Sequence, residues 1–263
     1  MVRHIDITDA IEDFAPLRYQ EEWDNSGYQC GNPFAECTGA LICVDVTEDI
    51  VEEALSRRCN LIIAHHPLLF RGVKQVVGRN RVERVLAKAL KNDITVYSSH
   101  TSMDNTPGGV SWTMAEMLGL NEVRTLAPVS KDASIGCGVV GNLAQPLTPI
   151  ELVEKVKSTF GSPVARCSAL PPSDEILTRI GLCGGAGTDF IPDAIRQGAR
   201  AYITSDTKLN YFLDHVGDIF IIDIGHFESE SCTKQIFYHI LSEKFPNFAL
   251  HYSEIEKNPI NYL

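Results

Sequence analysis

Residues 39–66, GALICVDVTEDIVEEALSRRCNLIIAHH, decide the fold, because an apolar run, a helical pattern and a second apolar run follow one another there. The run 39–46 predicts a strand, and the run from Leu61 to Ala64 predicts a second one. Between them Thr47 can cap a helix whose apolar residues recur at helical spacing. A strand, a helix and a strand in this order are typical of an α/β fold.

The rest of the chain continues this alternation. Further strands are predicted at 94–99, 138–143, 164–167, 179–183, 201–204 and 219–224, and further helices at 82–90, 149–160, 191–197, 208–216 and 226–244. The pattern weakens over 121–132, which we interpret as a connection between lobes. We therefore expect a mixed α/β (α+β) fold of two lobes, residues 1–127 and 128–263, whose final segment can pack on the first lobe.

The composition excludes several classes of protein. The chain has 263 residues, 44% hydrophobic and 22% charged, which is ordinary for a globular protein. Its net charge of −11 argues against a nucleic-acid-binding surface, although bound metal ions can reverse the sign locally and admit a small anionic substrate. No stretch is apolar enough to predict a membrane span or a signal peptide, and the eight cysteines form no CxxC pair. We expect a cytoplasmic protein with reduced thiols.

Metal-ligand residue types follow three predicted strands. His65 and His66 come after strand 61–64; His100 follows strand 94–99, with Asp104 four residues on; His226 follows strand 219–224, with Glu230 four residues on. Sites in open α/β sheets form beyond the carboxyl ends of strands. Imidazole and carboxylate ligands suit zinc, manganese, iron, magnesium and similar divalent ions, so the identity of the metal stays open.

The number of these candidate ligands indicates two ions. Six side chains exceed one tetrahedral site but fall short of the roughly eight positions that two such sites need. A bridging carboxylate and a bridging water or hydroxide would close the gap, and two ions about 3.5–4 Å apart are a standard hydrolytic arrangement.

Each candidate ligand also has an ordinary structural interpretation. Adjacent residues of an extended chain face opposite ways, so His65 and His66 point into one site only if the backbone turns. Asp104, which we place in a loop because Pro107 disfavours a helix just before it, could form an Asx-turn. Glu230 could be a favourable charge near a helix N-terminus. The clustering of four of the eight histidines at three strand ends favours the metal site.

Three other features leave alternatives open. The run Gly184 to Gly187 could cradle a phosphate, but we favour a tight turn with positive φ. Asp206 and Lys208 could contact substrate or cap the next helix. The segment 23–25 (Trp-Asp-Asn) could line a cleft or pin the N-terminal loop.

The sequence resembles a known family, the GTP cyclohydrolase I type 2 homologues or NIF-three-like dinuclear-metal proteins. The motifs that carry the resemblance span nearly the whole chain: Trp23-Asp24-Asn25-Ser26-Gly27, Val44-Asp45-Val46-Thr47, Ile63-Ala64-His65-His66-Pro67-Leu68, Ser99-His100-Thr101 with Asp104 and Gly108, Gly184-Gly185-Ala186-Gly187, Tyr202-Ile203-Thr204-Ser205-Asp206, and Gly225-His226 with Glu230. Two departures concern the substrate pocket. Ser205 stands where a glycine is usual, and Glu228 adds a charge beside Glu230.

The resemblance implies the same six metal ligands, two α/β lobes with a dinuclear site in the cleft between them, and a toroidal homohexamer built as a trimer of dimers. It also implies a reaction in which a bridging hydroxide attacks the purine ring of GTP. Our leading hypothesis is therefore a metal-dependent hydrolase with a small-molecule, possibly nucleotide, substrate and no nucleic-acid or membrane partner. The alternatives are a two-metal phosphoesterase, or a non-catalytic scaffold or metal chaperone.

Overall fold

The computed structural model describes residues 1–129 and 131–263, which form two compact units. The first unit consists of Met1–Met103 and Thr233–Lys257, and the second of Asp104–Cys232 and Asn258–Leu263. The lobes expected from the sequence, 1–127 and 128–263, divide the chain at a different place.

The first unit contains one mixed sheet. Its elements are α1 (His4–Phe14), β1 (Gly27–Cys30), β2 (Ala40–Cys43), α2 (Glu48–Ser56), β3 (Leu61–Ala64), α3 (Arg81–Lys91), β4 (Thr95–Ser98), α10 (Thr233–Lys244) and β11 (Leu250–Tyr252). The strand order is β1-β4-β3-β2-β11; β4, β3, β2 and β11 run parallel to one another, and β1 is antiparallel to β4. Every residue of β2, β3 and β4 is buried, as expected of strands covered on both faces.

Helices α2 and α3 pack together and cover part of this sheet. Leu41, Ile62 and Val96 from three neighbouring strands form one apolar cluster with Ile50 of α2 and Val85 of α3. The Thr47 side chain accepts a hydrogen bond of 3.3 Å from the Ile50 amide, which confirms the predicted N-cap of α2. The strand–helix–strand reading of 39–66 is therefore correct.

The second unit contains a second mixed sheet. Its elements are α5 (Val110–Leu118), β5 (Leu120–Pro128), β6 (Gly136–Leu147), α6 (Pro149–Phe160), β7 (Arg166–Cys167), β8 (Leu177–Leu182), α7 (Ile191–Arg196), β9 (Ala201–Thr204), α8 (Leu209–Asp214), β10 (Phe220–Asp223) and α9 (His226–Glu230). The strand order is β5-β6-β8-β9-β10-β7, with β8, β9 and β10 parallel and the other pairs antiparallel. The two mixed sheets confirm the α/β class.

The predicted connection over 121–132 is wrong, because most of it belongs to β5. This strand pairs with β6 from Leu120↔Leu143 to Pro128↔Gly136 and carries an irregularity between Asn121 and Arg124. The first half of β5 has exposed residues next to one another, Asn121 and Glu122, at this irregularity. Buried and exposed residues therefore do not alternate there, and that alternation is the pattern by which strands are recognised in sequence. Residue 130, which also falls in the predicted connection, lies outside the described residues.

The predicted final helix 226–244 is two helices. Helix α9 ends at Glu230 and α10 begins at Thr233, and the two belong to different units. The sequence analysis also missed α1, β1, α5 and β11. Within the described residues no helix is long and apolar enough to cross a membrane. All eight cysteines are described, and each is a free thiol as predicted.

Candidate metal centre

Three predicted ligands of the first unit lie together. Strands β3 and β4 are parallel neighbours with Ala64 opposite Ser98, so the residues that follow both strands emerge at the same edge of the sheet. The rings of His65 and His66 lie 5.0 Å apart, and those of His65 and His100 lie 5.2 Å apart. One ligand atom from each of the three histidines lies within 4.8 Å of the others. The backbone therefore does bend after β3, and adjacent histidines share one site.

Hydrogen bonds fix the orientation of His65 and His66. The Nδ1 atom of His65 lies 3.1 Å from the carbonyl oxygen of Ser99, and the Nδ1 atom of His66 lies 3.2 Å from Oδ1 of Asp45. An oxygen acceptor at Nδ1 holds the proton there and leaves the Nε2 lone pair to bind a metal.

Asp24 orients His100 in the same way. Its Oδ1 lies 2.8 Å from Nδ1 of His100, and its Oδ2 accepts hydrogen bonds from the amide and hydroxyl of Thr101 at 3.0 and 2.6 Å. The Asp24 side chain is 0% exposed. Burial opposes ionisation, but the bonds from His100 and Thr101 outweigh it and hold the pKa of Asp24 well below its usual range. Asp24 therefore pins the N-terminal loop, one of the two roles left open for 23–25.

In the second unit His226 and Glu230 contact each other. They stand one turn apart on α9, with Nε2 of His226 3.0 Å from Oε2 of Glu230. Two atoms that bind the same ion at about 2.0–2.2 Å lie roughly 3 Å from each other. On the other side of the ring, Nδ1 of His226 lies 2.8 Å from Oδ2 of Asp206. Asp206 thus orients His226, and it is Lys208 that precedes α8, without a side-chain capping bond.

The two carboxylates beside His226 favour a positive charge. Burial alone would lower the pKa of His226, but the hydrogen bonds and charges of Asp206 and Glu230 raise it to about 11. Without a metal the ring is therefore an imidazolium ion at neutral pH. A divalent cation would replace that proton among the same oxygens.

The glycine turn after β8 leaves room for the Glu230 carboxylate. Gly185 has a φ of +66°, and a Cβ atom on it would lie 2.1 Å from Oε1 of Glu230. This confirms the predicted tight turn with positive φ. The amides of Gly184, Gly185 and Gly187 each donate to a protein acceptor, so they do not form a phosphate cradle.

Asp104 ends a one-turn helix, α4 (Thr101–Asp104), so its predicted place in a loop is wrong. Pro107 lies three residues beyond Asp104 and restricts only the residue directly before it. In the second unit Asp104 and Glu230 both act on the thiol of Cys183. Burial raises the pKa of the Cys183 thiol to about 12, and the charges of both carboxylates contribute to the increase.

These donors fit divalent metal ions. The first unit offers three imidazoles, and the second offers one imidazole with the carboxylates of Asp104 and Glu230. The sequence analysis named Asp24 and Asp206 without recognising that they orient histidines through Nδ1, and it did not single out Asp45 as a site residue. A usable signal exists for two of them, because Asp45 and Asp206 each lie two residues beyond a buried strand. The metal-binding role of the six predicted ligands itself stays a prediction.

The pKa of His226 predicts how metal-free protein responds to pH. Its folded-state value of about 11 lies above the ordinary 6.5, so the folded state binds this proton more tightly than the unfolded state does. The resulting stabilisation is complete below about pH 6.5 and is lost as the pH rises towards about 11. Urea unfolding of chelator-treated protein should show His226→Gln less stable than the unchanged protein by a margin that is larger at about pH 6 than at about pH 10. Equal margins at both pH values would contradict this assignment.

Comparisons with known proteins identify the family of this chain. A family model described as Duf34/NIF3 (NGG1p interacting factor 3) matches residues 2–259. The chain is 35% identical over 226 residues to a Clostridium perfringens protein named "GTP cyclohydrolase 1 type 2 homolog", covering 86% of each chain. It is 34% identical over 260 residues to a protein of the same name from Lactococcus lactis, covering 94% of this chain and 95% of the relative.

Solved structures show the same fold. A Bacillus cereus protein related to NIF3 superposes with a TM-score of 0.91 at 21% identity, covering 100% of this chain and 99% of the other. The Staphylococcus aureus hypothetical protein SA1388 gives a TM-score of 0.89 at 25% identity, covering 99% of each. The family match extends over nearly the whole length and includes every predicted ligand. The chain belongs to the DUF34/NIF3 family.

Proposed function

We propose that this protein is a metal-dependent hydrolase that holds two divalent ions and acts on a purine nucleotide. The observation that carries the proposal is the oxygen acceptor at Nδ1 of each of His65, His66, His100 and His226, because metal-binding histidines are oriented in this way. The name shared by the Clostridium and Lactococcus relatives supports the choice of GTP as the first substrate to test.

The six predicted ligands would hold the ions as one combined set, since neither unit alone offers enough donors for two. Bound divalent ions would supply an activated water and polarise the bond under attack. The chain's own aspartates act on the ligands. Asp24 and Asp206 keep a proton on Nδ1 of His100 and His226, so that each ring presents its other nitrogen.

The first test is the metal content of untagged protein purified without chelators. Elemental mass spectrometry should find close to two ions per chain, and Glu230→Ala or His66→Ala should lower that number sharply. Arg18→Ala is a suitable control, because this side chain makes its hydrogen bond and its cation–π contact with Tyr19, which is not a predicted ligand. A value near zero that persists after reconstitution with zinc or manganese would reject the metal site.

The products distinguish the reaction from its alternatives. With GTP, reconstituted protein should release formate and not phosphate, because one water opens the five-membered ring to a formamide and a second water hydrolyses that formamide. Phosphate without formate would instead identify a two-metal phosphoesterase. If neither product forms and chelation dissociates the assembly or lowers its melting temperature by many degrees, the metals act as a scaffold. The homohexamer implied by the resemblance is tested in the same samples by light scattering.

A further inference from the structure

Two large aromatic side chains of the first unit are exposed beside the histidine cluster. Trp23 is 59% and Phe70 47% exposed, and their rings lie 5.8 Å apart in an edge-to-face arrangement. The ring of His100 lies 6.1 Å from that of Trp23 and 6.3 Å from that of Phe70. Exposed aromatic rings at this position leave apolar surface in water next to the predicted ligands.

Polar contacts hold this aromatic pair in place. The Asn25 side-chain amide donates to the carbonyl of Leu69, and the Leu69 amide donates to Oε1 of Gln29, both at 2.9 Å. The Gln29 side chain is buried and donates back to the carbonyl of Asn25 at 2.7 Å. The backbone N–H and C=O of Leu69, the residue before Phe70, are thus both hydrogen-bonded to the segment that follows Trp23. The two rings are positioned by specific contacts.

A cationic cavity adjoins Phe70. It has a volume of about 380 Å³, the size of a small-molecule site, and four of its lining residues are basic: Arg71, Lys74, Arg79 and Arg81. Its one lining carboxylate, Glu83, already accepts hydrogen bonds from the amides of Val77 and Arg79 and pairs with the Arg79 side chain.

Among the described residues Arg79 pairs with Glu83, and Arg81 has no ion pair but donates a hydrogen bond to the carbonyl of Val46. Arg71 and Lys74 are exposed, and among residues 1–129 and 131–263 neither has an ion pair. In a chain with a net charge of −11 such a group of cations is unusual, and an anion is the ligand that complements it.

We propose that the planar base of a nucleotide packs against this pair, stacked on the face of one ring and edge-to-face with the other, and that Arg71 and Lys74 bind its phosphate groups. This assignment rests on the proposed function, for which it names the substrate subsite. Any nucleotide base can stack on an exposed aromatic ring, and Arg and Lys are the usual phosphate-binding side chains. A base on this pair lies beside His100, and its phosphates extend into the cavity next to Phe70.

Tryptophan fluorescence tests the proposal without turnover. The sequence has two tryptophans, so Trp112→Phe leaves Trp23 as the only one. The indole nitrogen of Trp112 is buried and has no hydrogen-bond partner in the described part of the chain, so its loss removes no polar contact there. In zinc-loaded Trp112→Phe protein, GTP and guanosine should both quench Trp23. Tripolyphosphate should not quench it, but should displace GTP.

Variants separate the two halves of the subsite. Arg71→Gln with Lys74→Gln should weaken GTP binding at least about tenfold and leave guanosine binding within about twofold, whereas Phe70→Leu should weaken both. Lys91→Gln removes an exposed cation at the end of α3, away from the cavity lining, and serves as the control. Absence of quenching by guanosine, or an effect of Arg71→Gln with Lys74→Gln no larger than that of Lys91→Gln, would overturn the proposal.

Three further outcomes are decisive. If acrylamide fails to quench Trp23 in protein that light scattering shows to be associated, a second copy covers the pair and the subsite is rejected. If GTP binds as expected but neither formate nor phosphate appears, the subsite stands and the hydrolase is rejected. If formate is released and Phe70→Leu and Arg71→Gln leave the KM for GTP unchanged, the hydrolase stands and the subsite is rejected.

Discussion

Asp24→Asn is expected to weaken metal binding by the first unit about 10–100-fold, the usual effect of losing the partner that orients a metal-binding histidine. The carboxylate accepts hydrogen bonds from His100, Thr101, Ser26 and Asn25, all of which are donors. An amide of the same shape must turn its own NH₂ group towards some of them. Because the Asp24 side chain is 0% exposed, no water can replace the lost acceptor.

Stability should fall with metal affinity in this variant. Leaving buried hydrogen-bond donors without their acceptor destabilises a protein by about 1–3 kcal/mol. Urea unfolding of metal-free protein measures this loss, and competition with a chromophoric chelator measures the affinity.

Asp206→Asn is the matched control, because Asp206 makes the same 2.8 Å contact with the Nδ1 atom of a histidine but is 58% exposed. It should lower the metal affinity of the His226 site and change stability by less than about 1 kcal/mol. If Asp24→Asn binds metal as tightly as the unchanged protein, the orienting role of Asp24 is wrong. If Asp24→Asn and Asp206→Asn lower the free energy of unfolding by the same amount, the burial of Asp24 does not determine the cost of losing its carboxylate.

The sequence predicted the position of the histidines because their placement depends on local patterns. Strand β3 matches its predicted bounds, Leu61 to Ala64, and β9 and α6 also match theirs. Thr47 is the predicted cap of α2. Parallel pairing then places the residues after β3 and β4 at the same edge, so clustering of His65 and His100 follows from the strand assignment alone.

What could not be predicted depends on contacts between distant parts of the chain. Asp24 lies 76 residues before the histidine that it orients, and no periodicity links the two. Strand β5 was missed because its register shifts near Asn121. The turn from Gly184 to Gly187 was recognised in the sequence. Only the structure shows that Glu230 occupies the space that a side chain at Gly185 would need.

The closeness of Glu230 to Gly185 makes Gly185→Ala the second variant with a large expected effect. Its φ of +66° strains any residue with a Cβ atom by about 1–2 kcal/mol. The new Cβ would also lie 2.1 Å from Oε1 of Glu230, so the carboxylate has to leave its position. We expect the His226 site to lose metal affinity at least about tenfold, because Glu230 lies 3.0 Å from Nε2 of His226 and would no longer share an ion with it.

Gly161→Ala isolates the steric effect from the backbone strain. Gly161 has the same φ of +66°, but a Cβ atom there has no neighbour within 4 Å. Both variants should therefore lose the same stability from backbone strain, while only Gly185→Ala should lose metal, as measured by chelator competition and by elemental analysis after gel filtration. Equal metal content in both variants would show that Glu230 can move without consequence, and would exclude it from the ligand set. Metal loss in Gly161→Ala as well would show that strain in this unit alone disrupts binding, in which case the contact between Gly185 and Glu230 carries no special role.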